Sequence, residues 1–93
     1  MEVLLGTAGL DATFQEPFGE VITCVHCKGP TRIAFVAAET FIVAESQKDP
    51  VYVCDLHPNE KSRGGAYWVH DAMATAVYLC EKCCGATAVY NQA

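Results

Sequence analysis

Three pairs of metal-ligating side chains recur along the chain with one spacing: Cys24-x-x-Cys27, Cys54-x-x-His57 and Cys80-x-x-Cys83. A two-residue gap lets a tight turn aim both side chains at one edge of a tetrahedron, while amides inside the turn can donate to the sulfurs. Each pair is therefore half of a four-coordinate site. Each also follows a valine three residues upstream, at Val21, Val51 and Val77. The outer copies agree further, since Cys27-Lys28-Gly29-Pro30-Thr31-Arg32-Ile33 corresponds to Cys83-Cys84-Gly85-Ala86-Thr87-Ala88-Val89. The middle copy departs, continuing with Pro58 and Asn59. Glycine two residues after the second cysteine is expected to let the turn reverse with positive φ. A lone C-x-x-C could be a redox dithiol or part of a disulfide framework, but three half-sites on similar strand ends favour a metal.

The elements that must position these pairs are short and β-rich. Residues 21–24 and 31–36 read as strands around the first knuckle, 51–53 as a strand running into Cys54, 66–70 and 75–79 as strands before Cys80, and 86–91 as a strand after it. Residues 37–45 fit either period, because Ala34, Ala38, Phe41, Ile42 and Glu45 have helical spacing while Phe41-Ile42-Val43 favours a strand; strand is the preferred reading. Residues 46–50 form a turn and 58–65 a polar, glycine-rich loop. Asp71 could cap a helical turn over 71–74. Residues 1–20 form either a short strand and loop laid over the core or a partly ordered arm, and residues 21–93 form the ligand-bearing β domain. The expected fold is a single small, mostly β domain of antiparallel strands and hairpins. Tyr67 and Trp68 could offer a partner-binding edge, but packing on the small core explains them more simply.

Length and composition agree with a stapled domain. A chain of 93 residues has room for one modest core, commonly reinforced by metal, disulfides or oligomerisation. Its 52% hydrophobic and 18% charged residues belong to a globular protein and argue against general disorder. The net charge of -5 speaks against nucleic-acid binding, which needs a basic stripe, whereas Lys28, Arg32, Lys48, Lys61, Arg63 and Lys82 are scattered among eleven acids. No secretory n-region precedes the first apolar residues, and no apolar run is long enough to span a membrane. A reducing, cytoplasmic location is the default expectation, and there clustered cysteines are more often ligands than disulfides.

Through Cys24-Val25-His26-Cys27-Lys28-Gly29 and Cys80-Glu81-Lys82-Cys83-Cys84-Gly85 the chain resembles zinc-ribbon and zinc-knuckle proteins. That resemblance implies a structural zinc joining two β-hairpins. A second resemblance is to small bacterial and phage zinc-finger proteins in which a C-x-x-C is followed by C-x-x-H, here Cys24, Cys27, Cys54 and His57. The two compete for the first knuckle. Choosing the longer loop over the shorter costs on the order of 0.6 kcal/mol, against roughly 10 to 16 kcal/mol of apparent zinc affinity, so loop closure does not decide. The likeness of the outer knuckles puts Cys24, Cys27, Cys80 and Cys83 first and Cys54 with His57 next. A second four-coordinate ion would need two more donors, for which Cys84, His70 and His26 are the candidates, although Cys84 also reads as a small flanking residue and His70 as an ordinary strand residue. A second subunit could instead complete the spare pair, which leaves a homo-oligomer open.

Nothing marks a catalytic centre. The H-x-E with P-C-x-x-C pattern of zinc deaminases and the H-E-x-x-H of zinc proteases are both missing. Rubredoxin-like iron held by four thiolates is the stronger rival, but that family has glycine directly after the second cysteine, where this chain has Lys28 and Cys84. The expected function is a structural zinc domain acting as a protein-interaction or accessory module. An iron electron carrier is the first alternative and a zinc hydrolase the second.

Overall fold

Runs of β-branched and small apolar residues form the strands that carry the knuckles. The structure, a computed structural model, describes residues 1–39, 51–52, 67–68 and 73–92. In chain order the strands are β1 (Glu2–Leu5), β2 (Thr31–Ala38), β3 (Val51–Tyr52), β4 (Tyr67–Trp68), β5 (Met73–Cys80) and β6 (Ala86–Gln92), with a 3-10 turn over Gly6–Gly9. Four of them form one antiparallel sheet in the order β1-β2-β5-β6. The mostly β, antiparallel fold expected from the sequence is present. Among the described residues the exception to antiparallel pairing is the two-residue β3–β4 pair, which is parallel.

Two local expectations need correction. Residues 21–24 are not a strand; they contribute one isolated bridge, Thr23 to Pro30. Both bonds flanking that bridge are made, Cys24 N–H to Gly29 carbonyl at 2.9 Å and Thr31 N–H to Ile22 carbonyl at 3.1 Å, but the ladder goes no further because the Thr31 hydroxyl takes the Ile22 amide at 3.2 Å while donating to the Ile22 carbonyl at 2.8 Å. Met73 and Ala74 are in β5 and not in a helical turn, because Met73 N–H bonds the buried Glu39 carboxylate at 3.0 Å and Ala74 faces Ala38 across the ladder. Of the ambiguous residues 37–45, Ala37 and Ala38 extend β2, and 40–45 lie outside the described residues. The expected turn 46–50 and loop 58–65 lie outside them too.

Strand alternation sorts the sheet into two faces. On one, Val36, Ala74, Ala76 and Tyr78 are buried, together with Phe18 from the preceding segment. Leu10, Ala12, Phe14 and Ile22 pack over them, so the chain between β1 and the first knuckle forms the core's second layer. Full burial of a side chain such as Val36 contributes about 1.5–3 kcal/mol. Gly9 allows the closest approach, since a Cβ there would sit 2.6 Å from Val36 Cβ and 2.9 Å from Leu4 Cβ. Polar tethers fix this layer: Tyr78 hydroxyl donates to Gly19 carbonyl at 2.5 Å, and Asn91 accepts from Phe14 N–H at 3.1 Å while its amide donates to Thr13 hydroxyl. Burial raises the Tyr78 pKa, which keeps that donor protonated.

The opposite face carries Val3, Leu5, Leu79 and Tyr90, of which Leu5 is 73% and Tyr90 62% exposed. Among the described residues no helix is long and apolar enough to cross a membrane.

Candidate metal centre

The β2–β5 register brings two of the three half-sites together. Thr31, four residues beyond Cys27, pairs directly with Cys80, so the first knuckle ends where the second begins. The second knuckle is the turn between β5 and β6. Cys24, Cys27, Cys80 and Cys83 then place their four sulfurs within 4.8 Å of one another. Across the knuckles, Cys24 Sγ lies 3.7 Å from Cys83 Sγ and Cys27 Sγ 3.4 Å from Cys80 Sγ. A tetrahedron with metal–sulfur bonds of about 2.3 Å has edges of about 3.8 Å. All four are free thiols, positioned to hold a metal ion.

The turns themselves are nearly superposable in their bonding. Cys24 N–H bonds Gly29 carbonyl and Cys80 N–H bonds Gly85 carbonyl, each at 2.9 Å. His26 N–H donates to Cys24 Sγ at 3.3 Å, and its counterpart Lys82 N–H to Cys80 Sγ at 3.4 Å. Cys83 N–H also reaches Cys80 Sγ at 3.5 Å, and Gly85 N–H reaches Cys83 Sγ at 3.4 Å. Such donors spread the charge of a cluster in which four thiolates around a dication leave two negative charges.

Positive φ falls on Lys28 (67°) and Cys84 (59°), directly after the second cysteine of each knuckle, and not on Gly29 or Gly85 as the sequence suggested. The two glycines serve space instead. A Cβ on Gly29 would lie 3.2 Å from Cys27 Sγ and 3.1 Å from Lys82 Cδ, and one on Gly85 3.1 Å from Cys83 Sγ and 2.7 Å from His26 Cδ2.

The site's electrostatics divide the four thiols. Cys24, fully buried, is lowered to about 6, first by the Cys27 amide and then, against the penalty of burial, by the His26 amide. Cys80 is lowered as well, by the Cys83 and Lys82 amides. The Gly85 amide pulls Cys83 down, but burial and hydrogen bonding to the neighbouring sulfurs outweigh it and push this thiol up to about 12. Crowded sulfurs cannot all ionise alone. A dication supplies the missing charge and releases the remaining protons.

The other sequence candidates fare differently. Cys84 is exposed and is not one of the four converging ligands, while His26 Nε2 donates to Ala86 carbonyl at 3.1 Å. Cys54, His57 and His70 lie outside the described residues. Arg32 and Glu81 flank the site in an exposed 2.6 Å ion pair, which raises the Arg32 pKa, first through the hydrogen bond to Glu81 and then through its charge. Thr31 and Thr87 are features that spacing alone did not single out. Both are buried, and Thr87 hydroxyl accepts Val25 N–H at 3.1 Å, tying the first knuckle to β6. Their equivalent positions, four residues after the second cysteine, were the available signal.

Comparison with known proteins finds no match: no family profile fits the chain, and no curated protein or solved structure is similar to it. The geometry defines a small β domain with four cysteines positioned to hold a metal ion.

Proposed function

We propose that this chain is a structural zinc module of the cytoplasm, without catalysis, whose activity is binding to another protein. The observation that carries the reading is the convergence of four thiols within 4.8 Å from two sequence-distant knuckles. Four protein ligands fill the coordination of a tetrahedral zinc, whereas a catalytic zinc keeps one position for water. The acidic net charge of -5 favours a protein partner over nucleic acid, and so does the exposed apolar side of the sheet at Val3, Leu5, Leu79 and Tyr90. Sedimentation velocity separates a homo-oligomer built on that side from a monomer awaiting a different chain.

Elemental mass spectrometry of protein purified without added metal tests the centre. One zinc per chain is expected, with part of the folded spectrum lost on chelation. A chelated sample that keeps its full folded spectrum overturns the structural role. Two zincs per chain would bring Cys54 and His57 into use, with Cys84 and His70 as the two further donors.

Iron is the second reading, and one observation favours it. Lys28 and Cys84 adopt the positive φ for which rubredoxin-like knuckles use glycine, so the departure there is one of residue type and not of conformation. Colour decides between them, since iron held by four thiolates absorbs visible light and zinc does not.

A further inference from the structure

The residue in third place of each knuckle does more than donate its amide. His26 extends from the first knuckle over Gly85 of the second, with its ring hydrogen-bonded to Ala86 carbonyl at 3.1 Å. Because a carbonyl only accepts, Nε2 carries the proton. Lys82 extends in the opposite direction, laying its side-chain stem over Gly29 of the first knuckle. Each knuckle thus covers the other's glycine, beside the second sulfur of that knuckle.

We propose that His26 and Lys82 are positioning residues of the metal centre: a reciprocal clasp in which each knuckle's third residue docks on the other knuckle's glycine and holds the two thiol pairs in register. The assignment rests on the metal-binding reading above. It explains why glycine occupies 29 and 85 although neither has positive φ. It also makes the clasp unequal. The Lys82 stem can swing away from a new methyl group, whereas displacing the His26 ring breaks its bond to Ala86.

The structure supplies its own control. A Cβ at Gly29 or at Gly85 crowds the adjacent sulfur almost equally, at 3.2 and 3.1 Å, but only the second strikes the histidine at 2.7 Å. Zinc-loaded wild type, Gly29→Ala, Gly85→Ala, His26→Ala, His26→Phe and the Gly85→Ala/His26→Ala double variant are compared by the rate of zinc transfer to a chromogenic chelator. Gly85→Ala should release zinc roughly tenfold faster than Gly29→Ala, as expected for overpacking against a fixed ring. Removing the ring should rescue it, so that the double variant exceeds His26→Ala by no more than Gly29→Ala exceeds wild type, the share left by crowding of the sulfur alone. His26→Phe, which keeps a ring over Gly85 without the hydrogen bond, should fall between His26→Ala and wild type. The visible spectrum of cobalt(II)-loaded protein should change in His26→Ala, a readout that a loss of stability elsewhere would leave alone.

Release from His26→Ala at the wild-type rate, or multiplicative effects in the double variant, overturns the clasp. If Gly85→Ala does not fold, the two His26 variants decide the matter. Wild type that takes up no zinc overturns the metal reading and the clasp together. Wild type that holds zinc firmly while His26→Ala releases it no faster overturns the clasp alone.

Discussion

The knuckle at 80–85 is the turn of a hairpin, whereas the knuckle at 24–29 ends a segment that belongs to no strand. Cys80 and Ala86 continue directly into β5 and β6, which pair from Met73 with Gln92 to Leu79 with Ala86. Before Cys24 there is one bridge, at Thr23, and a set of bonds from Ile22 and Glu20 to Thr31 and Ile33. Two turns with closely similar internal bonding thus have unequal support. Extended backbone pairing holds the second knuckle, while the first has those few bonds to Thr31 and Ile33 and contacts reached across the chain, through Thr87, Gly85 and the cysteine cluster.

The largest consequence concerns metal removal. A structural zinc contributes roughly 10 to 16 kcal/mol of apparent affinity, and its loss should fall first on the weaker support. Hydrogen exchange after chelation is expected to show the amides of 24–29 losing protection before those of β5 and β6. Simultaneous loss in both knuckles would mean that they form one cooperative unit and that the contrast has no energetic content.

A smaller effect sharpens the likeness of the two turns. Lys28 and Cys84 both occupy the left-handed region, which costs a non-glycine residue about 1–2 kcal/mol. Glycine removes that cost but loses more entropy on folding. Lys28→Gly and Cys84→Gly should each therefore raise stability by about 0.5–1 kcal/mol, measured by urea denaturation of the metal-loaded protein. A gain in only one knuckle would show that the turns are not equivalent.

The smallest effect is on pH dependence. In the assembled, metal-stripped cluster Cys24 ionises at about 6, below the ordinary thiol value of 9.0. Its contribution to holding the first knuckle in place is complete above that ordinary value and disappears as pH falls through about 6. Cys83, raised to about 12, works in the opposite sense: its contribution is complete below 9.0 and disappears as pH rises through about 12. Amide chemical shifts of residues 24–29 in metal-stripped protein should report greatest docking near pH 9, with less on either side. A monotonic profile would contradict the opposite shifts of Cys24 and Cys83.

Much of this was legible in the residues. The β-branched runs marked β2, β5 and β6, and a shared spacing marked three half-sites, because strand propensity and ligand spacing are local properties. The false strand at 21–24 shows the limit of local reading. Val21, Ile22 and Thr23 have the right side chains, but the Ile22 amide goes to the Thr31 hydroxyl, so pairing stops after one bridge.

The sequence by itself determined the donors, the sharp turns that pair them and the glycines beside them. Tertiary structure decided which half-sites meet, because loop closure separates the alternatives by only about 0.6 kcal/mol, while the register that sets Thr31 against Cys80 places Cys24 and Cys27 beside Cys80 and Cys83. It also decided what the glycines are for. Positive φ is a property of one residue's backbone and passed to Lys28 and Cys84, whereas the space that Gly29 and Gly85 keep clear is filled by side chains from the opposite knuckle, which spacing along the chain cannot show.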